Sequence, residues 1–343
     1  MRVFLHLLVF FIPVAVLGFL LTGPHSPGVA LVCLALVFVP IALDFVSPPE
    51  RRDPTSSVPA AAWNGLLWVL TALHLGAIGL LPVFVMRAGV SIDSAVAVFL
   101  VGNASAQGIV LAHELIHRRG GFRLAGRALL AGVLYEHFTT EHLRGHHRRV
   151  ATVEDPATAR YGERFWPFFL RTVPAQFASA WALESKRLGA KTWWDQRKNP
   201  VLHGLMVGWA VAALIGIGFG PLALLAHLGQ ALFAVTLLEG VNYMEHWGLL
   251  RAGKRVSVVD SWDSEGALTY YMLIGLARHG DHHAHAARPY QDLRLFEETP
   301  KLPWGYLATG YCAVFADFVL IPRLDAELRR CGLGPYREER RAA

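Results

Sequence analysis

Six long apolar runs constrain this chain more than anything else in it. They cover roughly 3–22, 28–46, 63–86, 92–117, 201–219 and 222–246. About 20 apolar residues in a helix cross the hydrocarbon of a bilayer. Every backbone polar group there must be satisfied internally, which an isolated helix achieves and an irregular segment does not. The expected fold class is therefore all-α: a polytopic membrane protein with about six transmembrane helices and a helical cytoplasmic cap, forming one domain over 1–343. Composition agrees, at 54% hydrophobic and 17% charged. Only Arg2 precedes the first run, its apolar core is long and a second run follows closely, so a retained anchor is expected rather than a cleaved signal.

Charge sets the orientation. With the amino terminus in the cytoplasm, six crossings leave residues around 23–27, 87–91 and 218–221 outside. Of the 32 Lys and Arg, 31 then lie inside and only Arg87 outside, the bias that the positive-inside rule describes. The net charge of +6 is thus accounted for by topology and calls for no nucleic acid. Turn residues separate the first two runs at Gly23-Pro24, and a linker at 46–59 separates the second from the third. Three further apolar stretches, 122–136, 164–183 and 302–322, are expected to lie at the interface or against the cytoplasmic cap. The first two carry arginines. A crossing by the third would place Arg323, Arg329, Arg330, Arg337, Arg340 and Arg341 outside. Cys33, Cys312 and Cys331 form no CxxC pair, which excludes a rubredoxin-type or zinc-ribbon module within this chain.

Ten of the 16 histidines gather in four segments: HELIH at 113–117, EHLRGHH at 141–147, MEHWG at 244–248 and RHGDHHAH at 278–285. Under the expected topology all four meet at the cytoplasmic face. Neutral imidazole is the commonest protein ligand for transition metals. Ten rings exceed what one ion takes, so a two-metal site is expected. On an ordinary helix His142 and His146 share a face, with His147 next round. Glu114, Glu141, Glu245 and Asp281 adjoin histidines along the chain and are candidates to accept the ring N–H that a metal leaves free. His6, His25, His74, His137, His203 and His227 stand alone and read as packed or hydrogen-bonded residues. HELIH also fits the HExxH pattern of zinc proteases, but that would leave most of the clustered histidines without a role. A metal transporter would place its ligands nearer mid-membrane.

HELIH (113–117), EHLRGHHRRVATVEDPATARYGE (141–163), LEGVNYMEHWGLLR (238–251) and RHGDHHAHAARPYQDLR (278–294) together resemble the integral-membrane alkane 1-monooxygenases. They are similar, more distantly, to xylene monooxygenase hydroxylases and membrane fatty-acid desaturases. The resemblance implies a non-haem centre of two iron ions held by His113, His117, His142, His146, His147, His246, His279, His282 and His283. His285 would sit behind the ligands. It further implies hydroxylation of the terminal methyl of an n-alkane with O2, with electrons from rubredoxin and rubredoxin reductase. The setting would be the bacterial inner membrane, with the active site on the cytoplasmic side. Three positions depart from the family's pattern: Trp247 stands for Tyr, Gly280 for Ser and Ala286 for Pro. A side-chain hydroxylase or an acyl desaturase is the alternative within the same superfamily.

Overall fold

A computed structural model describes residues 2–53 and 58–337. Residues 54–57 of the expected linker, and Arg340 and Arg341, lie outside the described residues. Among the described residues, six helices are long and apolar enough to cross a membrane: Val3–Thr22, Pro27–Asp44, Ala60–Ala88, Ile92–His117, Pro200–Phe219 and Pro221–His246. The protein is all-α and membrane-integral, as the apolar runs predict, with ends within a few residues of those expected. Among the described residues the only strand-like pairings are two isolated bridges, Pro49 with Gly266 and Asp263 with Lys301.

Local chemistry explains the helix ends. Ser91 accepts the Ser94 N–H at 3.1 Å to start Ile92–His117. Asn199 accepts the Val201 N–H at 2.9 Å ahead of Pro200, whose missing donor costs nothing at a first helical position. Gly220, with φ of +86°, makes the turn into the last long helix.

The chain divides into two compact units. The first comprises Met1–Pro40, Ser57–Thr139 and Glu184–Val235. Its apolar core gathers Phe19, Leu81, Phe84, Leu100 and Val101, with small residues such as Ala97 and Ala104 between them. Small residues let helices approach where lipid offers no hydrophobic driving force. A Cβ on Gly102 would lie 2.9 Å from the Phe233 ring, so Gly102 allows close helix packing there. Buried polar groups link the same helices. Ser105 donates to Gln230 Oε1 at 2.7 Å, and Gln230 Nε2 donates to the Gly132 carbonyl at 3.0 Å. The stretch expected at 122–136 forms the helix Gly121–Ala131. Beyond it, Arg127 reaches Glu136 at 2.5 Å. Burial pushes the Glu136 carboxyl above the ordinary range despite that arginine.

The second unit comprises Ile41–Ser56, Thr140–Leu183 and Thr236–Ala343. It is anchored by buried polar side chains that hold loops rather than by long helices. Asp44 accepts from Thr269 Oγ1 at 3.1 Å and from the Ala308 N–H at 3.0 Å. Gly305 passes so close that a Cβ there would lie 1.9 Å from Asp44 Oδ1. The buried guanidinium of Arg278 donates to the Leu293 and Arg52 carbonyls, each at 2.6 Å, and lies over the Tyr270 ring. Tyr243 Oη and Trp247 Nε1 both donate to the Glu163 carbonyl, at 2.7 and 3.0 Å. The apolar stretch 302–322 is broken at Ala316 into Tyr306–Phe315 and Asp317–Cys331. Ten residues rise only ~15 Å, half the thickness of the hydrocarbon. The stretch at 164–183 belongs to the helix Phe165–Leu188.

Candidate metal centre

The segment EHLRGHH does not wind as an ordinary helix. Glu141–His146 is π-helical, flanked by short α-helical turns at Phe138–Thr140 and His147–Arg149. A π-turn closes hydrogen bonds from i to i+5 rather than i+4, so it carries more residues per turn than an α-helix. His142 and His146 still lie side by side, their ring centroids 5.4 Å apart, but the winding gives their nitrogens different partners. His142 pairs with His147, five residues on, their Nε2 atoms 2.9 Å apart. His146 turns its Nε2 to His283 Nε2, 3.2 Å away. Gly145 permits this wider winding: a Cβ there would come within 2.5 Å of both Glu141 Oε1 and Arg149 Nη2.

The short helix His279–Ala284 divides its histidines in the same way. His282 Nε2 lies 3.2 Å from His147 Nε2, and His283 Nε2 lies 2.9 Å from His279 Nε2. His246, the last residue of Pro221–His246, completes the second group. His146, His246, His279 and His283 each offer one nitrogen, and these four atoms all lie within 4.8 Å of one another. All four rings are buried. His142, His147 and His282 form a separate trio. In the first unit, His113 and His117 sit one turn apart at the end of Ile92–His117, with ring centroids 5.3 Å apart.

The protonation pattern favours a cation within the four-histidine group. His146 Nδ1 lies 2.9 Å from Asp155 Oδ2, and both side chains are buried. An ionised carboxylate only accepts, so the ring proton is on Nδ1 and Nε2 is a lone pair. That lone pair faces His283 Nε2, which also faces His279 Nε2. One proton cannot serve three nitrogens, and a metal ion relieves their repulsion. Burial first, and then the neighbouring imidazoles, pushes His283 well below the ordinary histidine range, which keeps it neutral and able to donate. Burial alone would raise Asp155, but the His146 ring and the Thr158 hydroxyl, 2.6 Å from the same oxygen, hold it below the ordinary aspartate range. An all-imidazole donor set suits iron, zinc, copper or nickel.

The acids that adjoin histidines in sequence take varied positions. Glu114 Oε1 accepts from Arg118 Nε and Nη2 at 2.9 and 2.8 Å. Glu141 accepts from Arg149 at 2.6 Å, and burial raises its carboxyl above the ordinary range. Asp281 binds His285 Nδ1 and Arg288 and accepts the Arg294 N–H. Glu245 Oε2 comes within 3.1 Å of His279 Nε2, the nitrogen that faces the group's interior. Asp155 and Thr158 were missed from the sequence. Asp155 stands nine residues after His146, beyond a turn where Ala151 has φ of +56°, so no helical spacing links them. Gly280, where the family pattern has Ser, lies against the Val258 carbonyl: a Cβ would be 2.5 Å from that oxygen and 2.8 Å from Thr299.

Six bilayer-length helices and clustered, buried imidazoles define a membrane-spanning metalloprotein with a histidine-built metal centre. A family model described as fatty acid desaturase matches residues 92–311, a range that includes all ten clustered histidines. The chain is 42% identical over 213 residues to alkane 1-monooxygenase 1 of Pseudomonas aeruginosa, covering 59% of this chain and 55% of that protein. It is 35% identical over 299 residues to alkane 1-monooxygenase 2 of Alcanivorax borkumensis, covering 82% and 75%. It is 25% identical over 199 residues to the xylene/toluene monooxygenase hydroxylase component of Pseudomonas putida, covering 56% and 53%. The matches to the two Pseudomonas aeruginosa enzymes span 55% and 61% of their lengths. The chain belongs to the fatty acid desaturase family, within its alkane 1-monooxygenase branch.

Proposed function

We propose that this chain is a single-domain, membrane-bound monooxygenase that converts the terminal methyl of an n-alkane or similar chain to a primary alcohol. Two iron ions would be held by nine histidines, His113, His117, His142, His146, His147, His246, His279, His282 and His283, of which His146, His246, His279 and His283 form one close group. The observation that carries the reading is the closed, buried four-histidine group, in a chain that is 35–42% identical to named alkane 1-monooxygenases. The reaction takes a C–H bond, O2, two electrons and two protons to an alcohol and water. Iron supplies the oxygen chemistry that acid–base side chains lack.

The chain's own residues do the rest. Asp155 fixes the His146 tautomer and ring orientation. Burial keeps His283 neutral, and Asp281 holds His285 and Arg288 behind the helix that carries His279, His282 and His283. Alkanes partition into bilayers, so the substrate enters from lipid. The chain has no CxxC pair of its own, and the likeness to alkane 1-monooxygenases implies rubredoxin and its reductase as the electron source. The clustered arginines around the histidine segments support an active site on the cytoplasmic side of a bacterial inner membrane.

Purified protein given rubredoxin, its reductase, NADH and O2 is expected to turn medium or long n-alkanes into 1-alkanols, and metal analysis should give about two irons per chain. Conversion of an acyl chain to its alkene, or oxidation of xylene alone, moves the chain to the corresponding neighbouring activity. Zinc as the dominant metal, with no oxygenase activity after iron loading, overturns the reading.

A further inference from the structure

We propose that the turn between Lys191 and Lys198 is a binding site for anionic phospholipid headgroups. Trp193–Lys198 forms a short 3-10 helix directly before the membrane helix Pro200–Phe219. Trp193 and Trp194 are each 67% exposed. Such exposure is costly in water, yet the turn that presents the two indoles is built rigidly. Thr192 and Asp195 form a reciprocal capping box, in which Asp195 accepts the Lys191 and Thr192 N–H groups at 2.9 and 2.8 Å. Gln196 bonds Ser185 and Asn199. His203, one turn into the membrane helix, bonds the Arg197 carbonyl at 2.7 Å. The indoles are thus fixed at the mouth of a spanning helix, the depth at which tryptophan prefers the headgroup boundary.

Charge selects the lipid. Lys191, Arg197 and Lys198 are exposed, whereas the one acid among them, Asp195, is engaged in the cap. The Arg197 guanidinium lies over the Trp194 ring, 5.0 Å from its centroid. Indole and cation are therefore presented together, the ring toward acyl chains and the guanidinium toward phosphate. Basic side chains next to a membrane helix favour anionic leaflets by a screened electrostatic attraction. This inference needs the membrane setting but not the proposed reaction.

The full chain, purified from membranes of mixed phosphatidylethanolamine and phosphatidylglycerol, is the test material. Native mass spectrometry should find retained phosphatidylglycerol enriched about fivefold over the bulk ratio, the factor one basic group supplies near an anionic surface. The K191Q/R197Q/K198Q variant should return to the bulk ratio, while Arg197→Lys, which keeps the charge, should retain most of the enrichment. In nanodiscs, lipid brominated near the headgroup should quench part of the tryptophan emission, and W193S/W194S should remove that part. Unchanged enrichment in the triple variant overturns the proposal. So does quenching of the pair by aqueous iodide rather than bromolipid, or its shielding only when a soluble protein is added.

Discussion

Asp155 is a sensitive test of whether the four imidazoles are poised for metal. Its Oδ2 accepts from both His146 Nδ1 and Thr158 Oγ1, while Oδ1 lies 3.4 Å from the Ala157 N–H. Asp155→Asn changes no volume but allows only two arrangements, both faulty. With the amide oxygen at the Oδ2 position, the NH2 group faces the Ala157 N–H, donor against donor. With the NH2 group there, His146 must shift its proton to Nε2 and gives up the lone pair that faces His283. A buried hydrogen bond to a charged group contributes about 1.5–3 kcal/mol, which corresponds to a loss of roughly 10–100-fold in metal affinity. The assay is metal retention against a graded chelator, with total metal read by mass spectrometry and folding by circular dichroism. D155N is expected to lose metal at a correspondingly lower chelator concentration while remaining folded. Wild-type retention in D155N would show that the carboxylate does not hold the ring. Because the Asp155 carboxyl lies below its ordinary range when folded, its contribution to stability is full above that range. It is lost as pH falls through the lower folded value.

Asp263 has the opposite sign. Burial raises it from 3.8 to about 6, so the folded state holds its proton longer than the unfolded chain and stability falls as pH rises between those values. Wild type should lose about 3 kcal/mol relative to D263N across that window, and parallel unfolding curves for the two would contradict this. Gly305→Ala should cost about 3 kcal/mol or more, because its Cβ would sit 1.9 Å from Asp44 Oδ1. An unchanged melting temperature would show that the loop moves away freely.

The spanning helices were readable because their signal is local: a run of apolar residues dictates a helix in lipid whatever it packs against. The histidines announced a metal for a similar reason, since ten imidazoles in four short segments have few other uses. Their division into groups was not readable. Spacing arguments assume 3.6 residues per turn, and EHLRGHH departs from that because Gly145 tolerates a winding that any Cβ would obstruct. Asp155 was hidden for a different reason: it reaches His146 only through a turn, and turns erase periodicity. The break at Ala316 lies inside a continuous apolar stretch, where composition gives no mark of a change in backbone direction.

The wide winding at Glu141–His146 also reaches beyond the segment itself. His146 and His147 are joined by one peptide bond, yet they serve different clusters; His282 and His283 repeat the arrangement. The two clusters are therefore stitched together twice by the backbone. A shift of a few tenths of an ångström at either stitch must be felt on both sides, so neither cluster can be retuned, by mutation or by a change in its occupant, without disturbing the other.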